Sequence, residues 1–306
     1  CGGATGIFAP IIGYFHIASG KYNTVLVVCE EKMSPPQPHA QGIFLFNYDE
    51  LWHRQVGINV LRSMSMEMSR YMYETGATKP AIAMVAVKNK GNAMDNPYAQ
   101  VPARITVEDV LNSPLLTWPL NRLDISPTSD GAAACVLTRV EIAKELKKEL
   151  ILIEGVGWAQ ASVYFETRGI TDYSYLRKSA KMAYEQAKIK NPQKEIDVCE
   201  IYDPMTYKEC HHAEGLGLCK EKEGWKLALE GISNRDGKLP INPSGGLLGV
   251  GNPISAAGMM KFCEIVHQLR GDAGRRQVKK KRLQTGLAHA WGGLFQFSCV
   301  VIMRRY

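Results

Sequence analysis

Residues 242–258 read Asn-Pro-Ser-Gly-Gly-Leu-Leu-Gly-Val-Gly-Asn-Pro-Ile-Ser-Ala-Ala-Gly and run straight into Met259 and the helical pattern that continues to Arg270. Five glycines, two prolines and two serines in seventeen residues are too many breakers for a packed strand or helix, so a loop is expected here. Glycine permits backbone conformations and close approaches that a Cβ forbids, and Pro253 suits the first turn of the helix that follows. Free N–H groups at such a helix start can hold an anion or a developing oxyanion. A glycine-rich turn with a packing role alone is the alternative.

Outward from this loop, apolar runs alternate with amphipathic stretches. Residues 7–19 read as a buried helix ended by Gly20, and 23–29 (Asn-Thr-Val-Leu-Val-Val-Cys) as a central strand covered on both faces. Residues 34–80 look like an inserted loop region, within which Met64, Met66, Met68 and Met72 form a helical stripe suited to core or lid packing. Thr106 opens a helix with Glu108 and Asp109 in its first turn, where the helix dipole favours them. Strands are expected over 132–138, 150–157, 196–201, 282–288 and 295–303, and helices over 81–90, 141–149, 178–190, 206–218 and 259–269. This alternation predicts an α/β layered fold in two halves, 1–150 and 151–306.

The 306 residues are 45% hydrophobic and 22% charged, as in an ordinary globular protein. The net charge of +7 is densest at Arg275, Arg276, Lys279, Lys280, Lys281 and Arg282. Such a run is usually a solvated face, so a polyanionic small ligand such as a nucleotide-bearing cofactor is expected rather than nucleic acid. The eight cysteines are scattered, mostly in apolar runs, as in a reduced cytoplasmic protein. No apolar run reaches the length of a membrane span, and no signal sequence is visible. The chain opens abruptly, without Met, on Cys1-Gly2-Gly3-Ala4-Thr5-Gly6.

The glycine loop, taken with four other segments, resembles the thiolase superfamily, most closely its sterol carrier protein-x type. The four are Ile17-Ala18-Ser19-Gly20 followed by Glu31-Lys32-Met33, then Asn96-Pro97-Tyr98, residues 127–134, and Glu214-Gly215-Leu216-Gly217-Leu218-Cys219. The resemblance covers nearly the whole chain. It implies a five-layered αβαβα sandwich built from two similar halves, usually dimeric, with the start of the first half missing here. It also implies coenzyme A lying over the glycine loop, with Ser244, Gly245 and Gly246 near its pantetheine arm and Gly251 also binding the coenzyme, and no permanently bound cofactor. A homodimer and a small OB-fold and zinc-ribbon companion are the partners it suggests.

Thiolase chemistry needs a cysteine at a helix start, a histidine to take its proton, a second acid/base, and donors for two oxyanions. Counted back from Glu31-Lys32-Met33, the nucleophile's position falls on Gly3, and Cys1 lies two residues too early. The histidine of the family's Gly-His-Pro falls on Asn252 in Gly251-Asn252-Pro253, and its His-Asp-Cys loop on Tyr202-Asp203-Pro204. A histidine remains at His289, in Ala288-His289-Ala290-Trp291-Gly292-Gly293.

Three readings follow. In the first, the chain makes or breaks carbon–carbon bonds of acyl-CoA thioesters without an acyl-cysteine, using Tyr202 as acid/base, Asn252 as oxyanion donor and His289 as proton carrier or donor to the thioester carbonyl. In the second, Cys1 takes over as nucleophile through a shifted backbone. In the third, the chain is a degenerate subunit that binds acyl-CoA or scaffolds a partner. Cys199, Cys210, His211, His212 and Cys219 lack a close Cys-x-x-Cys knuckle and read as buried thiols and helix histidines rather than metal ligands. His16 and His267 read as packing or surface residues.

Overall fold

The computed structural model describes residues 1–34, 39–146, 149–279 and 282–306; Lys280 and Lys281 of the basic run, and part of the helix expected over 141–149, lie outside them. Helix α1 (Thr5–Ala18) leads into strand β1 (Thr24–Glu31). Helices α2 (Val60–Thr75) and α3 (Lys79–Ala93) follow, and both begin where a side chain satisfies the free N–H groups of a first turn. Asn59 accepts from Arg62 N–H, and Thr78 from Ala81 N–H. Helix α4 (Val107–Asn112) starts with a reciprocal capping box between Thr106 and Asp109. Of the methionine stripe, Met64 and Met68 are buried in the core, whereas Met66 is 48% exposed.

Strand β2 (Gly131–Thr138) pairs antiparallel with β1, Thr24 opposite Thr138. The expectation that β1 is covered on both faces is corrected here, and β2 shares its exposure. Leu26, Val28 and Val136 are 65%, 59% and 64% exposed, while Val27 and Cys29 are buried. The two strands form a sheet of their own with one face on α1, so side chains alternate between core and surface.

The second half supplies β3 (Ile151–Gln160), α5 (Ser174–Gln186), β4 (Val198–Glu200), α6 (Thr206–Gly215), α7 (Gly246–Val250), α8 (Ile254–Arg270), β5 (Thr285–Gly292) and β6 (Phe297–Arg305). Their sheet runs β3-β6-β5-β4, antiparallel except for the parallel β5–β4 pair. All of β5 is buried, as its central place requires. The last two strands begin two or three residues later than the apolar pattern suggests. Helices α1 and α8 pack together between the two sheets, and α5 covers the far face of the larger one. The described layers are thus sheet, helix pair, sheet, helix. Among the described residues no helix is long and apolar enough to cross a membrane.

The outer layer is held close by two glycines of β3. A methyl at Gly155 would collide with the Ala183 carbonyl and one at Gly157 with the Ser179 carbonyl, both on α5. Backbone atoms cannot yield as a flexible side chain does. Gly157→Ala should therefore destabilise the protein by about 3 kcal/mol, near the upper end for an overpacked core site. Urea unfolding midpoints read this directly, and an unchanged midpoint would show that α5 can move off the sheet at little cost.

Candidate active site

Strand β4 is only three residues long, and at Ile201 and Tyr202 beyond it the main chain takes its partners from side chains. Ile201 N–H donates to Asn242 Oδ1 at 2.9 Å. Tyr202 N–H donates to His289 Nδ1 at 3.3 Å, and Tyr202 C=O lies 2.7 Å from His212 Nδ1. Asp203 accepts from Leu247 N–H at 2.8 Å and from Leu248 N–H at 3.4 Å. These donors at the start of α7 are thus taken by the chain's own carboxylate; at the start of α8, after Pro253, where free donors for an anion were expected, Ser255 N–H meets Glu31 at 3.2 Å.

The glycine loop wraps around this strand end. Gly245, Gly246 and Gly251 have φ of +109°, +57° and +120°, and a Cβ at Gly246 would fall on the Asp203 carboxylate. Lys261, from α8, reaches Asp203 at 3.2 Å and Glu200 at 3.4 Å. Burial raises the Glu200 and Asp203 carboxyls, Asp203 to about 6, against the opposing pull of the Lys261 ammonium.

Asn252 stands at the end of the loop. Its N–H meets Ser129 Oγ at 3.1 Å, its side-chain NH2 donates to Ser126 Oγ at 3.2 Å, and its Oδ1 accepts from the Tyr202 hydroxyl at 3.0 Å. Tyr202 and Asn252 share the wall of a cavity of about 130 Å³ with Gly2, Gly3, Ser126, Met205, Trp291 and, across the opening, Phe44, Tyr48 and Met64. No cysteine lines it, and Cys1 is exposed outside that wall. A methyl at Gly3 would fall on the Tyr202 hydroxyl. The tyrosine oxygen thus occupies the room that a side chain at position 3 would need. Burial raises the phenol above its ordinary range and keeps it protonated, although its bond to Asn252 acts the other way.

His289 is fully buried behind Tyr202 and does not line the cavity. Burial, then the charges of Lys261 and Lys208, push its imidazole down to about 3, so it is neutral. Because Nδ1 accepts from Tyr202, its proton belongs on Nε2. His212 is neutral for the same leading reason. Sequence reasoning did not single out its role. Nor did it find Ser126 and Ser129, whose neighbourhood to Asn252 depends on the parallel bridge between Thr128 and Asn252.

The cofactor candidates lie apart from that cavity. Ser244 and Gly246 line a second one of about 520 Å³, with Asn96, Lys261, His267 and Arg276. Ser244 directs both its N–H (3.0 Å) and its hydroxyl (2.9 Å) to Glu200, Gly245 packs on Ala93, and Gly251 on Ser129 and Gln100. The two buried cations there are paired, Lys261 as above and Arg276 with Glu264 at 3.0 Å. Among the described residues, no group of three or more His, Cys, Asp or Glu is disposed to hold a metal ion.

A family described as "Thiolase C-terminal domain-like" matches residues 158–305. The acetyl-CoA acetyltransferase of Methanothermobacter thermautotrophicus is 35% identical over 303 residues, 99% of this chain and 78% of the relative. The benzoylsuccinyl-CoA thiolase subunit BbsB of Thauera aromatica is 34% identical over 230 residues, 75% of this chain and 59% of the relative. Among solved structures, the "Ltp2-ChsH2(DUF35) aldolase" superposes with a TM-score of 0.85 and 26% identity, over 99% of this chain and 78% of its own.

Two predictions test the geometry. Gly3→Ala should destabilise the protein by about 3 kcal/mol, because the methyl meets the Trp291 main-chain carbonyl as well as the hydroxyl and Cζ of Tyr202; Tyr202→Phe removes the hydroxyl alone and relieves part of that loss. Thermal denaturation of the two single variants and the double variant measures that coupling, and strictly additive losses would place the tyrosine elsewhere. Between pH 6.5 and about 3 the unfolded chain binds a proton at His289 that the folded chain refuses. This residue's share of stability is complete above pH 6.5 and falls on acidification by about 1.4 kcal/mol per pH unit. His289→Asn should therefore flatten the acid limb in urea titrations from pH 7 to pH 4; curves parallel to the parent's would contradict the neutral assignment.

Proposed function

The chain belongs to the thiolase family, and from that premise we propose that it acts on acyl-CoA thioesters by making or breaking a carbon–carbon bond without a covalent acyl intermediate. The observation that carries this reading is the Tyr202 hydroxyl, hydrogen-bonded to Asn252 and abutting Gly3 in the wall of a cavity without a thiol. A protonated, buried phenol is a proton donor at neutral pH. In bond formation, once a base other than the resting phenol has taken the α-carbon proton, it delivers its proton to the alkoxide that appears when the thioester enolate adds to a carbonyl; in cleavage, once such a base has taken the hydroxyl proton, it delivers to the enolate carbon left behind. Asn252 uses one side-chain N–H on Ser126 and keeps the other for the thioester oxyanion.

The reacting end of the substrate belongs in the cavity beside Tyr202. Its pantetheine arm is assigned to the face of the glycine loop near Ser244 and Gly246, and Gly245 and Gly251 shape that face from behind. His289 holds the main chain of Tyr202 rather than touching substrate.

A second reading is a subunit that binds acyl-CoA while a partner completes the reaction. It is favoured by the loss of both the nucleophile at Gly3 and the histidine at Asn252, and by the two-component title of the similar aldolase structure. A homodimer, with a small OB-fold and zinc-ribbon companion, is the assembly proposed.

The two readings separate by assay against a panel of β-hydroxyacyl-CoA thioesters, with and without that companion. Tyr202→Phe should lower kcat by at least about 10²-fold, the lower bound for losing a general acid. Unchanged turnover in the variant would remove tyrosine from the mechanism. Binding without turnover by the parent chain alone, with turnover appearing once the companion is added, would favour the subunit reading.

A further inference from the structure

Tyr202 lies two residues past the end of β4, where no neighbouring strand fixes its main chain. Its two backbone polar groups are met from opposite sides by imidazoles. His289 Nδ1, on β5, receives the Tyr202 N–H at 3.3 Å, and His212 Nδ1, on α6, lies 2.7 Å from the Tyr202 carbonyl oxygen. A carbonyl only accepts, so His212 carries its proton on Nδ1; His289 accepts there and carries its proton on Nε2. The two rings stand edge to face with centroids 5.0 Å apart, and both are closed off from solvent. Neither Nε2 has a partner among the described residues. Each ring's single described hydrogen bond is therefore to Tyr202.

We infer that His212 is a positioning residue: by donating from Nδ1 to the Tyr202 carbonyl, opposite His289, it fixes the peptide that aims the Tyr202 hydroxyl at Asn252 and the cavity. The inference rests on the reading of Tyr202 as the proton donor. The neighbouring residues of the same segment are held independently of His212, Ile201 by Asn242 and Asp203 by α7 and Lys261. Loss of His212 thus frees the one peptide between two anchored ones. The hydroxyl stands at the end of a rigid ring, so a small rotation of that peptide becomes a displacement of the oxygen relative to Asn252. A displacement of about 1 Å can cost about 10²-fold in rate.

Asparagine places an N–H donor near the position of a histidine Nδ1, and glutamine near Nε2. His212→Leu and His212→Gln should therefore lower kcat about 10- to 100-fold with KM within about twofold, whereas His212→Asn should recover most of kcat. Equal loss in the Asn and Gln variants, or full activity in the Leu variant, overturns the inference. The comparison of Asn with Gln remains decisive if the Leu variant fails to fold. A readout without turnover is nitrogen NMR of the full chain labelled with 15N-histidine. It should show His212 protonated on Nδ1 and His289 on Nε2, both neutral at pH 6. The opposite tautomer at His212 overturns the inference even where Tyr202→Phe abolishes activity. Intact turnover in Tyr202→Phe with these tautomers present instead sinks the reading of Tyr202 alone.

Discussion

The placement of the site depends on a buried ionic cluster beneath the glycine loop. Lys261 bridges Glu200 and Asp203, and Lys88 pairs with Glu209 at 2.8 Å, all five side chains being almost without exposure. Glu209 also accepts from Asn89 and Asn242, each at 2.8 Å. Three carboxyls face two ammoniums, so the excess negative charge must be met by hydrogen bonds or by a retained proton. The loop supplies many of those hydrogen bonds: Ser244 to Glu200, Leu247 and Leu248 to Asp203, Asn242 to Glu209. A loop with so many glycines would otherwise lose much conformational entropy on ordering. The charges therefore fix its path, and with it the position of Asn252.

Much of the architecture was legible because it rests on local rules. The Thr106 capping box and the helix breaks at Gly20 and Pro253 depend on a few adjacent residues, and the alternation of strand and helix on periodicity. Exposure of β1 and β2 was not legible. A run such as Thr-Val-Leu-Val-Val-Cys is apolar on both faces, and periodicity cannot say whether a second layer covers it. Members of the candidate site could be named from the sequence, but their wiring could not. Tyr202, Asn252 and Gly3 are adjacent in the fold as alignment to the family implied, whereas the contacts of His212 with Tyr202 and of Ser126 and Ser129 with Asn252 join residues far apart in the chain. The helix start after Pro253 was open to an anion on local rules, and nothing local reveals that Glu31, far away in the chain, meets its Ser255 N–H.

Residue 3 and residue 202 constrain one another. A side chain at 3 and a tyrosine hydroxyl at 202 compete for one volume, so a thiol at 3 could not return without displacing the tyrosine. The Trp291 main-chain carbonyl crowds the same volume. On the proposed reading, the two departures from the family pattern together exchange a group that attacks as an anion for one held as a neutral acid. The rest of the site suits a neutral acid. Asn252 Oδ1 accepts the phenol's proton in a hydrogen bond, and both nearby imidazoles are uncharged.

That protonation state also bears on what the proposed chemistry still needs. A buried phenol with its ordinary ionisation suppressed gives up a proton only to a stronger base, such as an alkoxide or an enolate carbon, and it takes one from a neutral alcohol only at high cost. Cleavage of a β-hydroxyacyl thioester begins by removing an alcohol proton, which the resting Tyr202 cannot do. Bond formation ends by protonating an alkoxide, which it can. Bond formation likewise begins by removing a proton, from the α-carbon, so the proposed chemistry needs a second base within reach of the substrate in either direction. The described cavity wall carries no carboxylate or histidine, so a partner chain or the substrate itself is where that base has to be sought.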